Sequence, residues 1–378
     1  MGKQKIVVAM SGGVDSSVAA GILVREGYEV VGITIKTYRY EDVGGNTGNE
    51  SSCCSLDGIN DARAVAALFG FPHYVLDFSE RFGADVIENF VQEYLEGKTP
   101  NPCVLCNRKI KWEELIRKSV SLGAERIATG HYARVRNEGG RYLLSRGTDK
   151  AKDQSYALWG LTQDSLRRTL FPLSEMTKPQ VRELASSMGL PTAGKGESFE
   201  ICFIPDNNYE RFLKERDPSL EGRVAGGEVI LDGKVVGTHR GYPFYTIGQR
   251  KGLGLATGEP VYVTGIDAAS NRIELGRGSD LLHRGLVGRD CNLIKYEALP
   301  GPLRVRATIR YMDPGGDATV TPLGGGKVRV VFDEKRRAIT PGQSVVLYEG
   351  DDVVGGGIIE RVLTDGGASP IDETREER

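Results

Sequence analysis

Lys5-Ile6-Val7-Val8-Ala9-Met10-Ser11-Gly12-Gly13-Val14-Asp15-Ser16-Ser17 decides the architecture of the first half of the chain. Its first six residues are an apolar, β-branched run of the kind found in a strand buried on both faces. A Gly-Gly turn follows at once, and Ser17-Val18-Ala19-Ala20 opens a segment of helical composition. Strand, glycine turn and helix N-terminus together make an anion cradle. The glycines let backbone N–H groups turn inward, the helix end adds roughly half a positive charge, and serine hydroxyls donate further hydrogen bonds. No Gly-Lys-Ser/Thr follows, so the turn is not a Walker A loop. Two glycines alone would suit an ordinary strand-to-helix turn equally well. Ser11, Ser16, Ser17 and Asp15 packed around them favour a phosphate role.

Outward from this turn, short apolar runs alternate with segments of helical period up to about residue 200. That is the pattern of a parallel sheet covered by helices, a Rossmann-like α/β domain. Strands are expected at 5–10, 29–36, 72–77 and 126–129, with helices at 16–26, 58–68, 82–96 and 111–122. Thr177 and Gln180 form a capping box, and Met188-Gly189 ends the helix that it starts. A last helix over 209–216 stops at Asp217-Pro218, after which the texture is all-β. Turns are marked at Gly226-Gly227, Asp232-Gly233, Gly315-Gly316 and Gly324-Gly325-Gly326, between alternating runs such as 327–332 and 344–348. The expected division is an α/β domain over 1–205, a small β-rich domain over 206–290, a β-barrel over 291–362 and a disordered polar tail over 363–378.

Composition narrows the function classes. The 378 residues suit two to three domains, and counting Gly in and Tyr out brings the apolar fraction to roughly 48%, ordinary for a globular protein. The formal charge is -2, so no overall basic field draws the protein to a polyanion, and nucleic-acid contact would rest on local patches. No run approaches the ~18 apolar residues of a membrane span, and 6–10 is too short for a signal-peptide core, so a cytoplasmic protein without a membrane partner is expected.

Six cysteines, Cys53, Cys54, Cys103, Cys106, Cys202 and Cys291, are too sparse for a disulfide scaffold. Thr99-Pro100-Asn101-Pro102-Cys103-Val104-Leu105-Cys106-Asn107 reads as a rigid turn ending at a helix entry. There a helix N-terminus with Arg108, Lys109 and Lys111 could stabilise a Cys106 thiolate against its free pKa of about 8.5. A structural zinc ribbon is the competing reading. It needs a second spaced pair, and the adjacent Cys53-Cys54 suit one tetrahedral ion poorly. Cys202, in Ile201-Cys202-Phe203-Ile204, would alone pass for a buried core thiol.

Taken together these motifs resemble a known family. Ser11-Gly12-Gly13-Val14-Asp15-Ser16 is similar to the SGGxDS loop of PP-loop ATP pyrophosphatases, which cleave ATP to AMP and pyrophosphate and adenylate a substrate oxygen. The Thr-Pro-Asn-Pro-x-x-x-Cys-Asn motif at 99–107 and the Ile-Cys-Phe-Ile run at 201–204 narrow this. So do Cys53-Cys54-Ser55, Gly130-His131-Tyr132-Ala133-Arg134, Lys152-Asp153-Gln154-Ser155-Tyr156, the 246–254 segment TIGQRKGLG and Pro341-Gly342-Gln343-Ser344. In this order they closely resemble the bacterial tRNA-specific 2-thiouridylase family, over nearly the whole chain.

The resemblance implies an ATP- and Mg²⁺-dependent sulfurtransferase. It would adenylate the C2 oxygen of the wobble uridine, release pyrophosphate and AMP, and insert sulfur. It implies nucleotide contacts at Ala9, Met10, Ser11, Gly12, Gly13, Val14, Asp15, Ser16, Ile35 and Gly130, with Asp15 holding Mg²⁺ or orienting phosphates and Ile35 touching adenine. Cys202 would accept a persulfide and Cys106 would act as nucleophile, closing a Cys106–Cys202 disulfide. The target base would be received at Asn101, Pro102 and Cys103. Further tRNA contacts are implied at His131, Lys152, Asp153, Gln154, Arg310, Tyr311 and Gln343, with lysine, glutamate and glutamine tRNAs as substrates. The sulfur donor would be a cysteine desulfurase, a persulfide carrier or inorganic sulfide. Well-known members carry Asp where this chain has Cys103. Cys103, Cys106 and Cys202 could therefore ligate a [4Fe-4S] cluster with one open iron, a route weighed equally with the persulfide.

Arg304-Val305-Arg306-Ala307-Thr308-Ile309-Arg310-Tyr311 alternates, so its arginines are expected on one strand face, suited to phosphates or simply to water. Two other function classes compete. An amidating or ligating PP-loop enzyme acting on a small molecule would share the loop but have no use for Cys106 and Cys202. A non-catalytic RNA-binding protein would leave the loop without a role. Cys291 is expected to be structural.

Overall fold

The computed structural model describes residues 3–38, 56–196, 201–255 and 258–363. Cys53, Cys54, residues 197–200 and the tail beyond 363 lie outside them. Two compact units are present. The first comprises Met1–Glu88, Pro102–Asn208 and Asp351–Val353, and the second Asn89–Asn101, Tyr209–Gly350 and Val354–Arg378.

In the first unit a five-stranded parallel sheet is built from β1 (Lys5–Ala9), β2 (Glu29–Lys36), β3 (His73–Asp77), β4 (Arg126–Ala128) and a short strand at Thr169–Leu170, β7, in the order β3-β2-β1-β4-β7. β1 lies between β2, with Val8 opposite Gly32, and β4, with Val8 opposite Ala128. The chain leaves β1 for one side of the sheet and later returns to the other, so the carboxyl end of β1 is the topological switch point where α/β sheets form their ligand crevice. The helix α1 (Val14–Arg25) starts there. Its small residues are buried on several sides, and a Cβ on Gly21 would stand only 2.8 Å from Met188 Sδ. Ile6, Val8, Val14, Val18, Leu23, Val30, Val65, Val181 and Ala185 share one core beneath it. α2 (Leu56–Phe69) packs on the same core through Ala62 and Val65.

The expected strands and helices of this half are present with small shifts at their ends. The edge strand β7 was not among the expected strands, and two further features differ. Residues 133–146, for which no element was expected, form a hairpin of β5 (Ala133–Glu138) and β6 (Arg141–Arg146), turning at Gly139-Gly140. The 99–107 motif is not a turn ahead of a helix. The helix begins at Pro102 and runs through Pro102–Cys106, a π-helical stretch Asn107–Glu114, and Leu115–Ser121. Pro102 suits a first helical position, where no intrahelical N–H bond is required.

The second unit is β-rich. β8 (Glu228–Leu231), β9 (Lys234–Thr238), β10 (Tyr262–Asp267) and β11 (Arg272–Gly276) form a four-stranded sheet ordered β10-β11-β8-β9. Six further strands follow, β12 (Leu282–Leu293), β13 (Leu303–Thr308), β14 (Gly316–Gly324), β15 (Lys327–Arg337), β16 (Ser344–Glu349) and β17 (Asp352–Leu363). They run in the order β12-β15-β14-β13-β16-β17, and β12 pairs again with β17, which closes the barrel and removes its edges. Leu286, Val305, Ala307, Val320, Val330, Phe332, Leu347 and Ile359 fill it.

Candidate active site

The turn after β1 is fixed by its own backbone and hydroxyls. Gly12 has φ +73°, and a Cβ there would lie 2.0 Å from the Gly58 carbonyl oxygen, so only glycine fits. Ser16 and Ser17 hydroxyls donate to the Gly13 carbonyl at 3.1 and 2.9 Å, and the Ser11 N–H donates to Ser16 Oγ at 3.2 Å. No side chain caps the α1 N-terminus at Gly13. Its first-turn N–H groups lack intrahelical acceptors and stand ready for an anion. Gly130 closes the approach from β4, since a Cβ on it would meet the Asp15 and Ser16 backbone at 2.7 Å. This donor set fits the phosphates of a nucleotide. Met10 is held by its N–H to the Ile33 carbonyl at 2.8 Å, and Ile35 lies partly buried near the end of β2.

Sequence reasoning missed the groups that surround Asp15. The Lys178 ammonium donates to both Asp15 carboxylate oxygens at 2.8 and 2.7 Å, and the Tyr132 hydroxyl donates to one of them at 2.8 Å. The Lys178 side chain is only 9% exposed, and a lysine so far from water needs a carboxylate partner. Each partner is itself held. Asp149 accepts the Lys178 N–H at 2.9 Å, while Gln154 Oε1 accepts the Tyr132 N–H at 3.0 Å. A second cation, Lys195, donates to Asp61 at 2.6 Å and to the Gly12 carbonyl at 3.3 Å. Lys178 directly follows the Thr177 helix cap, and its sequence context carries no signal of a functional role. Spacings of more than a hundred residues give no periodic signal.

The sulfur residues lie in the same unit. Cys103 is exposed, Cys106 buried and Cys202 half-buried, and none is in a disulfide. Cys103 and Cys106 are one helical turn apart. Arg108 and Lys109, expected beside the thiol, both pair with Glu113 instead. Asn107, buried next to Cys106, donates to the Ala157 carbonyl at 3.0 Å. Cys202 sits on a tight turn closed by the Ile204 N–H to the Ile201 carbonyl at 2.8 Å. Phe203 anchors that turn, its ring 5.6 Å from Phe82 in an edge-to-face contact. Among the described residues no group of three His, Cys, Asp or Glu side chains is gathered to hold a metal ion. The described residues therefore do not fit a zinc ribbon. Cys291, on β12, has its thiol pushed up to about 12 by burial and by the Asp290 charge, which makes it unreactive.

His131 packs against Trp112 and Phe171 and shares a 2.8 Å hydrogen bond with the Thr129 hydroxyl. Burial, helped by the Lys111 charge, pushes its pKa down to about 3, so the ring is neutral at physiological pH. Asp153 accepts from Ser155 Oγ at 2.8 Å and from the Gly147 N–H at 3.2 Å, and burial raises its pKa against those bonds. The expected row of arginines is split. Arg304 and Arg306 face outward on β13 and pair with Asp333 and Asp317, whereas Arg310 and Tyr311 fall on the turn beyond the strand. Arg310 donates to the Arg337 carbonyl at 3.2 Å, and Tyr311 is 47% exposed.

A parallel sheet whose switch point carries an SGGVDS phosphate turn defines the class of ATP-cleaving, adenylating PP-loop proteins. The chain matches the family models for a tRNA methyl transferase HUP domain over residues 4–206, a tRNA methyl transferase PRC-barrel domain over 210–277 and an aminomethyltransferase beta-barrel domain over 283–359. It is 55% identical over 364 residues to the tRNA-specific 2-thiouridylase MnmA of Salinibacter ruber, covering 95% of each chain. It is 51% identical over 367 residues to that of Carboxydothermus hydrogenoformans, covering 96% of this chain and 99% of the relative. The chain belongs to the tRNA-specific 2-thiouridylase family. No helix among the described residues is long and apolar enough to cross a membrane.

Proposed function

We propose that this chain is a tRNA-uridine 2-sulfurtransferase acting in the cytoplasm on the wobble uridine of lysine, glutamate and glutamine tRNAs. The observation that carries the reading is that one compact unit holds both the phosphate turn and two thiols, Cys106 and Cys202, presented by separate elements. Methyl transfer, the wording attached to the family models, has no use for that pairing. The three-domain division at about residues 205 and 290 is part of the same proposal.

The C2 oxygen of uracil is a poor leaving group, and ATP, carrying Mg²⁺ on its phosphates, supplies AMP as a better one. Ser11, Gly12, Gly13, Val14, Asp15 and Ser16 would gather the phosphates, with Ala9, Met10, Ile35 and Gly130 around the rest of the nucleotide. Lys178 would stabilise charge developing during adenylation, and Asp15 would keep that ammonium in place. Sulfur follows as a Cys202 persulfide, its outer sulfur handed over as sulfane sulfur by a desulfurase or a persulfide carrier; inorganic sulfide, already fully reduced, would serve only by attacking the activated C2 directly, with AMP leaving. On the persulfide route the terminal sulfur bonds to C2 and AMP leaves. The Cys106 thiolate then attacks the Cys202 sulfur, the S–S bond to the product breaks, and the electron pair leaves as the C2 thiocarbonyl. The resulting Cys106–Cys202 disulfide needs a thiol reductant for the next turnover. Asn101, Pro102 and Cys103 would receive the flipped base. His131, Lys152, Asp153, Gln154, Arg310, Tyr311 and Gln343 are the proposed tRNA positions.

A [4Fe-4S] route through Cys103, Cys106 and Cys202 competes with the persulfide route. Anaerobic purification tests the choice: a colourless, iron-free, active enzyme agrees with the persulfide route, and absorbance near ~400 nm that vanishes in Cys103→Ala overturns it. The function itself is tested by incubating the protein with ATP, Mg²⁺, unmodified tRNA and a persulfide or sulfide source. Nucleoside analysis should then show 2-thiouridine. Its absence with both sources would refute the assignment.

A further inference from the structure

We infer that Met312, at the tip of the turn between β13 and β14, contacts the bound RNA by laying its thioether side chain against the face of a base. The inference rests on the proposed action on tRNA, and it adds a residue and a kind of contact which that reading does not include. Met312 has φ +61°. Among the described residues, the other non-glycine positions with positive φ are Asn207, Asp232, Asn271, Asp290 and Ala338. Asn and Asp tolerate this region through their short polar side chains, whereas a longer side chain is strained there. Met312 is therefore the one long apolar residue held in it. The Asp313 N–H donates to the Arg310 carbonyl at 3.2 Å, so residues 310–313 form a β-turn with Met312 at its third position, where glycine or asparagine is at ease. Strain of this kind persists only where the surroundings enforce it, and the outlier points to a use.

The surroundings do enforce it. The Asp313 side chain is fully buried, one carboxylate oxygen accepting from the Ile309 N–H at 3.0 Å and the other from Arg336 at 2.6 Å. The Arg336 guanidinium in turn lies over the ring of Phe332 in the barrel core. The turn is thus braced from beneath, wholly within the second unit. Its outer side is open. Met312 is 72% exposed, more than any other large apolar side chain among the described residues, and Tyr311 stands beside it. An exposed methionine contributes nothing to the core, so the strain is not offset by burial. The charge around it identifies the occupant. Arg310 and Arg336 flank the turn and Arg337 follows on β15, against the buried carboxylate of Asp313, while the nearby Asp317 is neutralised by Arg306. In a chain of formal charge -2, this is a local cationic corner with an apolar tip. It complements a polyanion that also offers flat apolar faces, which describes RNA with an accessible base. A polarisable thioether packs favourably on an aromatic ring.

Met312→Gly, Met312→Asn and Met312→Leu test this by filter retention of unmodified tRNA. Glycine and asparagine relax the turn, so both variants should melt no lower than wild type. Both should nevertheless bind tRNA about three- to tenfold more weakly, the loss expected for one thioether–base contact. The slope of log affinity against log salt should stay as in wild type, because no phosphate contact is removed. Leucine keeps an apolar side chain of similar volume and should bind within about twofold of wild type. Wild-type affinity in the glycine and asparagine variants would overturn the inference, and slower loading of Cys202 with persulfide in them would then assign the tip to a protein partner. A loss shared equally by leucine, one accompanied by a lower melting temperature, or one that reduces the salt slope would overturn it as well. If the wild-type protein itself retains no tRNA, the proposed function falls and this inference falls with it.

Discussion

The ammonium of Lys178 lies 2.8 and 2.7 Å from the two carboxylate oxygens of Asp15, although 163 positions of sequence separate them. Asp15 belongs to the first turn of α1, so a buried cation stands at the same helix start that offers its N–H groups to phosphate. Lys178→Met keeps the bulk and removes the charge. Pyrophosphate release on addition of ATP and tRNA should slow by about 10²–10³-fold, the usual cost of losing one preorganised stabilising donor. Binding of tRNA measured by filter retention should not change. Pyrophosphate release at the wild-type rate would remove Lys178 from the reaction.

Two neighbouring glycines should respond differently to one methyl group. Gly12→Ala places Cβ 2.0 Å from the Gly58 carbonyl oxygen at φ +73°, and backbone cannot rotate out of the way. A loss of stability of at least about 1–3 kcal/mol is expected, with ATP binding abolished. Gly13 has φ -90°, and its Cβ would come no nearer than 3.4 Å to Ser11 Oγ. Gly13→Ala should therefore melt close to wild type. Thermal denaturation of both variants decides, and equal melting temperatures would contradict the loop geometry.

His131 carries a pH signature. Its folded pKa, about 3, lies below the 6.5 of an exposed histidine, so the unfolded chain binds the extra proton first as pH falls. The stabilisation from keeping this ring neutral is complete above pH 6.5 and is lost progressively from there down toward about 3. His131→Asn should lose less stability than wild type between neutral pH and pH 4, measured by urea denaturation. A steeper loss in the variant would show that the ring is not held neutral.

Charge already paired within the barrel should contribute little to RNA binding. Arg304 and Arg306 are engaged by Asp333 and Asp317, whereas Arg310 contacts only a carbonyl among the bonds described. Arg310→Ala should weaken tRNA binding and reduce the slope of log affinity against log salt by about 1. Arg304→Ala should leave that slope unchanged. The reverse order would place the RNA contact on the outer face of β13.

The sequence made the first unit legible because its signals are local. The apolar run 5–10, the Gly12-Gly13 turn and the Thr177–Gln180 box each act within a few residues, and strands, phosphate turn and cap all occur where expected. The cysteine helix was misread because Pro100 and Pro102 both suggest a turn, yet Pro102 is a helix start. The 133–146 hairpin was missed even though Gly139-Gly140 marked its turn. Lys178, Tyr132 and Lys195 were out of reach for a different reason. They meet the loop through tertiary packing, and nothing in their local spacing announces a partner at Asp15, Gly12 or Asp61. Gln343 was recognised as part of a motif, but its grip on 99–100 depends on contacts 243 and 244 residues away in sequence.

The central claim is that Cys106 and Cys202 exchange sulfur at one activated carbon. A single turnover with ATP, unmodified tRNA and persulfide-loaded protein, quenched in acid and alkylated, can be read by mass spectrometry of the peptides containing Cys103, Cys106 and Cys202. The account predicts a Cys106–Cys202 disulfide in amount equal to the 2-thiouridine formed, with Cys103 still alkylated. Full thiolation with Cys106 and Cys202 both recovered as alkylated thiols would contradict it.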